Sequence, residues 1–297
     1  MGAYERREFG AVTVLAATGG GAYPYGNSLV VRGSEGVLVV DPSLAVHDGG
    51  ARLAADAVLL SHAHEDHLAG LALVDAPVHV HEADLAAVRS VDRLLAGYGL
   101  PPTAAADFRR ALVTDFHVVD RPDATGFSDG SRFDLGDRTV TAVHLPGHTA
   151  GHSGLLVEPD GFLYVADIDL TSFGPFYGDV GSSLDDFEAS MRRCGAIDAR
   201  WFGTFHQKGV IEGAAEFRRR LQRYADVVAA RDAALIAFAA EPRSVEEIAR
   251  HRLIYRPHVD APYVPSVERR SAEQHVARTT RRAASPPGAG GPWPVAW

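Results

Sequence analysis

The chain has 297 residues, 46% of them apolar and 23% charged, ordinary proportions for a globular protein with a large core, so neither disorder nor a fibrous repeat accounts for its bulk. Its 38 acidic and 29 basic side chains give a formal charge of −9, which disfavours a whole-protein electrostatic grip on nucleic acid or anionic lipid. Cys194 is the only cysteine, so an internal disulfide and thiolate-rich zinc or iron–sulfur sites are excluded, and any metal must be held by nitrogen and oxygen.

The charged start, Met1 to Gly10, leads into an apolar stretch too short and too Gly-rich for a secretory or membrane-spanning segment, and the expectation is a cytoplasmic protein. From residue 11 to about 206, short β-branched or apolar runs closed by polar, Gly or Pro residues predict strands at 11–16, 28–31, 37–40, 58–60, 78–80, 139–145, 154–157, 162–165 and 200–205. Ala-rich segments with helical spacing lie between them at about 82–96, 103–113 and 184–194, giving a mixed α/β pattern. Ser183 and Asp186 frame a capping box for the last of these helices, and Gly195 marks its end. Past residue 213 the texture turns helical: 214–240, a Ser244-capped helix to Leu253, a proline-punctuated linker at 257–265 and a basic helix at 266–282. Residues 285–297, rich in Pro and Gly, are expected to be a mobile tail. The division is therefore 1–213, a helical appendage at 214–284, and the tail.

The densest chemical signal is Leu60-Ser-His62-Ala-His64-Glu-Asp66-His67, four metal-ligand side chains within six positions directly after an apolar strand. His62 and His64 can point to one side while Asp66 and His67 follow round the turn, so one strand end can serve two adjacent cations. Further ligands are then required, and they stand behind later strands: His148 in Pro-Gly-His148-Thr-Ala-Gly-His152, Asp167 after the run at 162–165, and His206 after the run at 200–205.

As a set, these motifs resemble the metallo-β-lactamase superfamily over about residues 11–210. The resemblance implies an α/β fold of the αββα sandwich type, with the metal site at one edge between two sheets. It also implies that His62, His64 and His148 hold a first metal, Asp66, His67 and His206 a second, and that Asp167 bridges them. Imidazole plus carboxylate suits two zincs, with iron or manganese also possible. Such a pair lowers the pKa of water from about 15.7 towards roughly 7 and supplies a bridging hydroxide for attack on an acyl carbon, with Asp66 orienting it or accepting its proton. Asp41 and His152 are expected to support the site through hydrogen bonds, and Tyr25, Phe173, Phe176 and Tyr177 to line the substrate pocket.

The strings around His148 and Asp167 are most similar to glyoxalase II-like and lactonase-like members, so the expected activity is hydrolysis of a thioester, lactone or related ester of a small molecule. An iron-dependent persulfide dioxygenase-like oxidoreductase on the same scaffold is the alternative enzyme. Residues 245–282 resemble the winged-helix-type appendage of the β-lactamase-like-2 branch but run into Pro/Gly sequence where a wing would form. A sensor or binding role for this region is the alternative of another class. Packing against the catalytic domain or a second subunit of a homodimer is expected instead, with no nucleic-acid or membrane partner. Arg89, Arg93, Arg109 and Arg110 are read as solvated helix faces.

Overall fold

Side chains along a strand alternate between faces, so a strand apolar at every position must be covered on both sides. Runs such as Val37-Leu-Val-Val40 meet that condition, and the computed structural model, which describes residues 2–284, covers them accordingly. The first sheet takes β1 (Tyr4–Phe9), β2 (Val12–Ala17), β3 (Ser28–Arg32), β4 (Val37–Val40), β5 (Ala57–Leu60), β6 (Val78–His81) and β7 (Thr125–Phe127) in sequence order. It is antiparallel as far as β4 and parallel from β4 to β7. Its connections carry α1 (Leu44–Gly49), the single turn α2 (Glu65–Leu68), α3 (Leu85–Arg89), α4 (Val91–Tyr98) and α5 (Pro102–Thr114). The second sheet holds β8 (Arg132–Asp134), β9 (Thr139–His144), β10 (Ser153–Glu158), β11 (Phe162–Tyr164), β12 (Trp201–Gly203) and β13 (Val210–Glu212), in the order β13-β12-β11-β10-β9-β8. Only its β11–β12 pair is parallel, joined by a crossover through α6 (Leu184–Ala196).

Between the sheets, Val12, Val14, Leu29, Val31, Leu38, Val40 and Leu59 meet Val140, Ala142, Leu155, Val157, Phe162 and Tyr164. The alternate residues face outward. Val30, Val39, Val58 and Leu60 pack under the helices of the first sheet, while Leu163, Val165 and Phe202 pack under α6 and α7 (Ala214–Phe238). Helix, sheet, sheet, helix is thus the layer order, as expected of an αββα sandwich.

The helix expected at 82–96 is broken into α3 and α4 because Ser90 is extended (φ −151°, ψ 123°) and the Asp120 carboxylate takes the Val91 N–H at 2.7 Å. The strand β1 escaped notice because its sequence, Tyr-Glu-Arg-Arg-Glu-Phe, is that of a charged edge strand. At the C-terminus, α7 lays Phe217, Leu221, Tyr224 and Ala225 onto the second sheet. Its far end joins α8 (Val245–His251) and α9 (Val264–Ala284) around Leu235, Ile248 and Ala272. Ser244 and Glu247 form the expected capping box of α8. Among the described residues no strand follows β13, and no helix is long and apolar enough to cross a membrane. The expectation for residues 285–297 lies outside the described residues.

Candidate metal centre

The parallel strands and the β9–β12 ends open onto one rim, and every expected ligand sits there on a short, constrained connection. His62 follows β5 after Ser61, and His64 occupies the N-cap of α2, whose single turn carries Asp66 and His67. His148 lies in the β9–β10 loop, where Gly147 (φ +128°) passes the start of α6 so closely that a Cβ would stand 2.2 Å from the Phe187 nitrogen. Asp167 follows Ala166, which is left-handed (φ +45°), and His206 precedes Gln207, likewise left-handed (φ +46°). Such strained turns persist only where surrounding packing holds them.

Two clusters result. The facing atoms of His62 and His64 (Nε2 and Nδ1) are 2.9 Å apart. His148 Nε2 is 3.0 Å from His64 Nδ1 and 3.2 Å from Asp167 Oδ2. The second cluster gathers Asp66, His67 and His206: His206 Nε2 is 3.2 Å from Asp66 Oδ2, and His67 Nε2 is 3.1 Å from Asp167 Oδ1. Tetrahedral ligands bonded at about 2.0–2.1 Å lie about 3.3 Å from one another, so these spacings suit a cation in each cluster. Three of the atoms, Asp66 Oδ2, His67 Nε2 and Asp167 Oδ1, are buried and have no hydrogen-bond partner, although the last two are only 3.1 Å apart. Buried lone pairs aimed at one another are costly unless a cation lies among them.

Each imidazole is also anchored from behind. The outer nitrogen of His64 donates to Asp179 Oδ2 (2.8 Å), that of His148 to the Phe176 carbonyl (3.0 Å), and that of His206 to the Tyr25 carbonyl (3.0 Å). His62 Nδ1 lies 3.1 Å from the Ser61 hydroxyl, and His67 Nδ1 lies 2.9 Å from Asp41 Oδ2. Asp41 is fully buried and accepts from the Ser61 amide, the Ser61 hydroxyl and the Tyr164 hydroxyl. These outer bonds fix the tautomers so that each inner nitrogen presents a lone pair to the centre. His152 Nδ1 donates to the Leu145 carbonyl and its Nε2 accepts the Asp167 amide, tying the β9–β10 loop to the Asp167 turn.

The electrostatics divide the histidines. Burial and the surrounding imidazoles hold His62 well below the ordinary histidine pKa. Burial opposes charge on His64 and His206 as well, yet Asp179 lifts the first to about 9, and Asp167 with Asp66 lifts the second to about 9. Burial pushes Asp169 up to about 6, and burial with the nearby Asp66 raises Glu65.

A cavity of about 360 Å³ opens over the clusters. Phe173 and Phe176 line it, as the sequence suggests, but two other expected residues do not. The Tyr25 side chain turns outward, its hydroxyl 3.0 Å from Asp48, and its neighbour Tyr23 enters the cavity in its place. Tyr177 is 1% exposed and packs with Leu184 and Val228, its hydroxyl bonded to His275 and Arg231, because the adjacent Phe176 takes the cavity side of the loop. The wall also includes residues that sequence reasoning missed. Tyr98 comes from α4, Phe108 from α5, and Tyr255, Tyr263 and Val267 from the C-terminal helical region, so that region helps to build the pocket. Glu65 is buried in the wall and accepts both the Tyr23 and the Tyr98 hydroxyls. None of Arg89, Arg93, Arg109 or Arg110 lines the cavity: Arg89 binds the Ala124 carbonyl and Arg109 pairs with Asp92.

Comparison with known proteins agrees with the fold. A metallo-beta-lactamase family protein of Thermus thermophilus superposes with a TM-score of 0.67 at 21% identity, covering 95% of this chain and 96% of that one. A beta-lactamase domain protein of Burkholderia ambifaria superposes with a TM-score of 0.68 at 18% identity, covering 95% and 89%. The acyl-coenzyme A thioesterase MBLAC2 of Bos taurus is 28% identical over 160 residues, a stretch spanning 48% of this chain and 57% of the bovine protein. The sequence pattern of the metallo-beta-lactamase superfamily matches residues 23–206, and with the His/Asp clusters inside that span, the chain belongs to this superfamily.

Proposed function

We propose that the protein is a dinuclear, zinc-dependent hydrolase that cleaves the acyl bond of a small-molecule thioester, lactone or related ester. The observation that carries this reading is the second cluster, where Asp66, His67 and Asp167 each leave a buried atom without a partner. A mononuclear iron centre would leave that cluster without purpose, so the arrangement favours two cations over the dioxygenase alternative. The nitrogen and oxygen donors suit zinc, and the likeness to a thioesterase supports acyl chemistry.

In this proposal His62, His64 and His148 hold one cation, Asp66, His67 and His206 the other, and the two oxygens of Asp167 serve one cluster each. Bound cations would supply a nucleophile from water at neutral pH and polarise the substrate carbonyl. The chain's own contribution is positional. Asp41, Ser61, Asp179 and two main-chain carbonyls lock the imidazoles, and Asp66, buried within the second cluster, would orient the attacking water and accept its proton. The water oxygen joins the acyl carbon, the bond to sulfur or alkoxide oxygen breaks, and the leaving group takes up a proton. The aromatic wall holds the substrate and excludes bulk water. Assay of metal-loaded protein against thioesters, lactones and aryl esters tests the reading. Turnover abolished by chelation and restored by zinc is expected, whereas no turnover of any of the three with both cations bound would overturn it.

A further inference from the structure

Above the two clusters, the cavity wall combines aromatic rings with carboxylates and, among the described residues, holds no lysine or arginine. Among the described residues lining it, Glu65 and Asp169 are acidic without a basic partner in the wall, while Asp179 is engaged by His64. The guanidinium groups that approach from behind point at main-chain carbonyls: Arg231 at those of Phe173 and Pro175, and Arg270 at those of Tyr98 and Gly178. Lys208, the chain's single lysine, is exposed and does not line the cavity. Both oxygens of Glu65 accept tyrosine hydroxyls, so Tyr23 and Tyr98 have donated their protons and present lone pairs alone. Apart from the Gln207 amide and the Tyr255 and Tyr263 hydroxyls, the polar wall outside the histidines is thus dominated by carboxylates, and much of the rest is ring surface from Phe108, Phe173 and Phe176.

We propose that the part of the substrate seated in this cavity is an uncharged, apolar group, and that Glu65 and Asp169 are specificity-determining residues that turn away anionic ones. The inference rests on the hydrolase reading above and adds the charge class of its substrate. An anionic group entering here would lose hydration, meet two carboxylates and find no lysine or arginine, a combination that discriminates by repulsion more than by attraction. An apolar group of similar size loses little and gains ring contacts.

The test uses zinc-loaded, full-length protein and three thioesters of N-acetylcysteamine with matched acyl length: pentanoyl (uncharged), glutaryl (anionic) and 4-(trimethylammonio)butanoyl (cationic). Where thioesters are not turned over, the same three acyl groups are presented as aryl esters. The expected kcat/KM order places pentanoyl first, with at least about a thirtyfold lead over glutaryl. Glu65→Gln and Asp169→Asn, each of which keeps hydrogen-bonding capacity, should each lower the pentanoyl-to-glutaryl ratio about three- to tenfold. The ratio cancels any general loss of activity, and the two variants report independently should one fail to fold. Glutaryl turned over as well as pentanoyl would overturn the proposal, as would an unchanged ratio in both variants. A lead for the cationic substrate would also overturn it, marking the cavity as a cation cage. Absence of turnover on every scaffold would instead overturn the hydrolase reading, and this inference with it.

Discussion

Asp179 offers a quantitative test of how the centre is held. Its Oδ2 accepts the His64 Nε2–H at 2.8 Å, with the two side chains only 8% and 12% exposed, so solvent cannot replace the bond. A hydrogen bond to a charged group contributes about 1.5–3 kcal/mol, and loss of an outer partner of a metal-binding histidine weakens the metal about 10–100-fold, which is roughly 1.4–2.8 kcal/mol. The two scales agree. Asp179→Asn keeps an acceptor oxygen and loses only the charge, so first-site zinc affinity should fall about tenfold; Asp179→Ala leaves the imidazole N–H without an acceptor and should cost up to about 100-fold. Zinc titration against a competing chelator resolves two binding steps, and only the one assigned to His62, His64 and His148 should weaken. Affinity of Asp179→Ala within about twofold of the native protein, or equal weakening of both steps, would refute the reasoning.

Three further outcomes follow from the same geometry. Gly147→Ala forces a side chain into a left-handed residue whose Cβ would meet the Phe187 nitrogen at 2.2 Å, so thermal unfolding should show a loss of about 2–4 kcal/mol; an unchanged melting temperature would contradict the close approach. Arg231→Met removes donors from the Phe173 and Pro175 carbonyls, both at 2.6 Å, and should raise KM more than it lowers kcat while zinc content holds; unaltered kinetics would show that the loop is held by other means. In the metal-free protein His64 and His206 are raised to about 9, and His67, beside Asp41, Asp167 and Asp66, is raised well above the ordinary histidine value, so all three carry protons at pH 7.5, whereas metal binding needs neutral imidazole. Loading should therefore release about three protons per chain, and zinc affinity should weaken as pH falls below about 9; calorimetry in buffers of different ionisation enthalpy reads this directly, and no proton release would count against it.

The candidate ligand clusters were legible because residues able to bind a metal are dense and local in the sequence. His62, His64, Asp66 and His67 share one short segment, and His148, Asp167 and His206 each stand just past an apolar run. A mixed α/β fold was legible in the apolar runs and the helical segments between them, while the αββα layer order was what the family resemblance implied. What the sequence hid depends on contacts distant along the chain or on direction within a loop. Nothing local shows that Tyr255 and Tyr263, beyond α8, fold back over the centre, or that Phe176 and not Tyr177 faces it. The Arg231–Tyr177–His275–Asp232 network that fixes this choice joins the loop to α7 and α9, and no pattern in either segment announces it. Similarly, Tyr23 rather than Tyr25 enters the cavity because Tyr25 finds Asp48 outside.

The most direct test of the paired centre is elemental analysis of protein reconstituted with zinc and freed of excess, alongside His206→Ala. The account predicts two zinc ions per native chain and one in the variant, because His206 belongs only to the second cluster. A single ion in both proteins, or two in both, would contradict it.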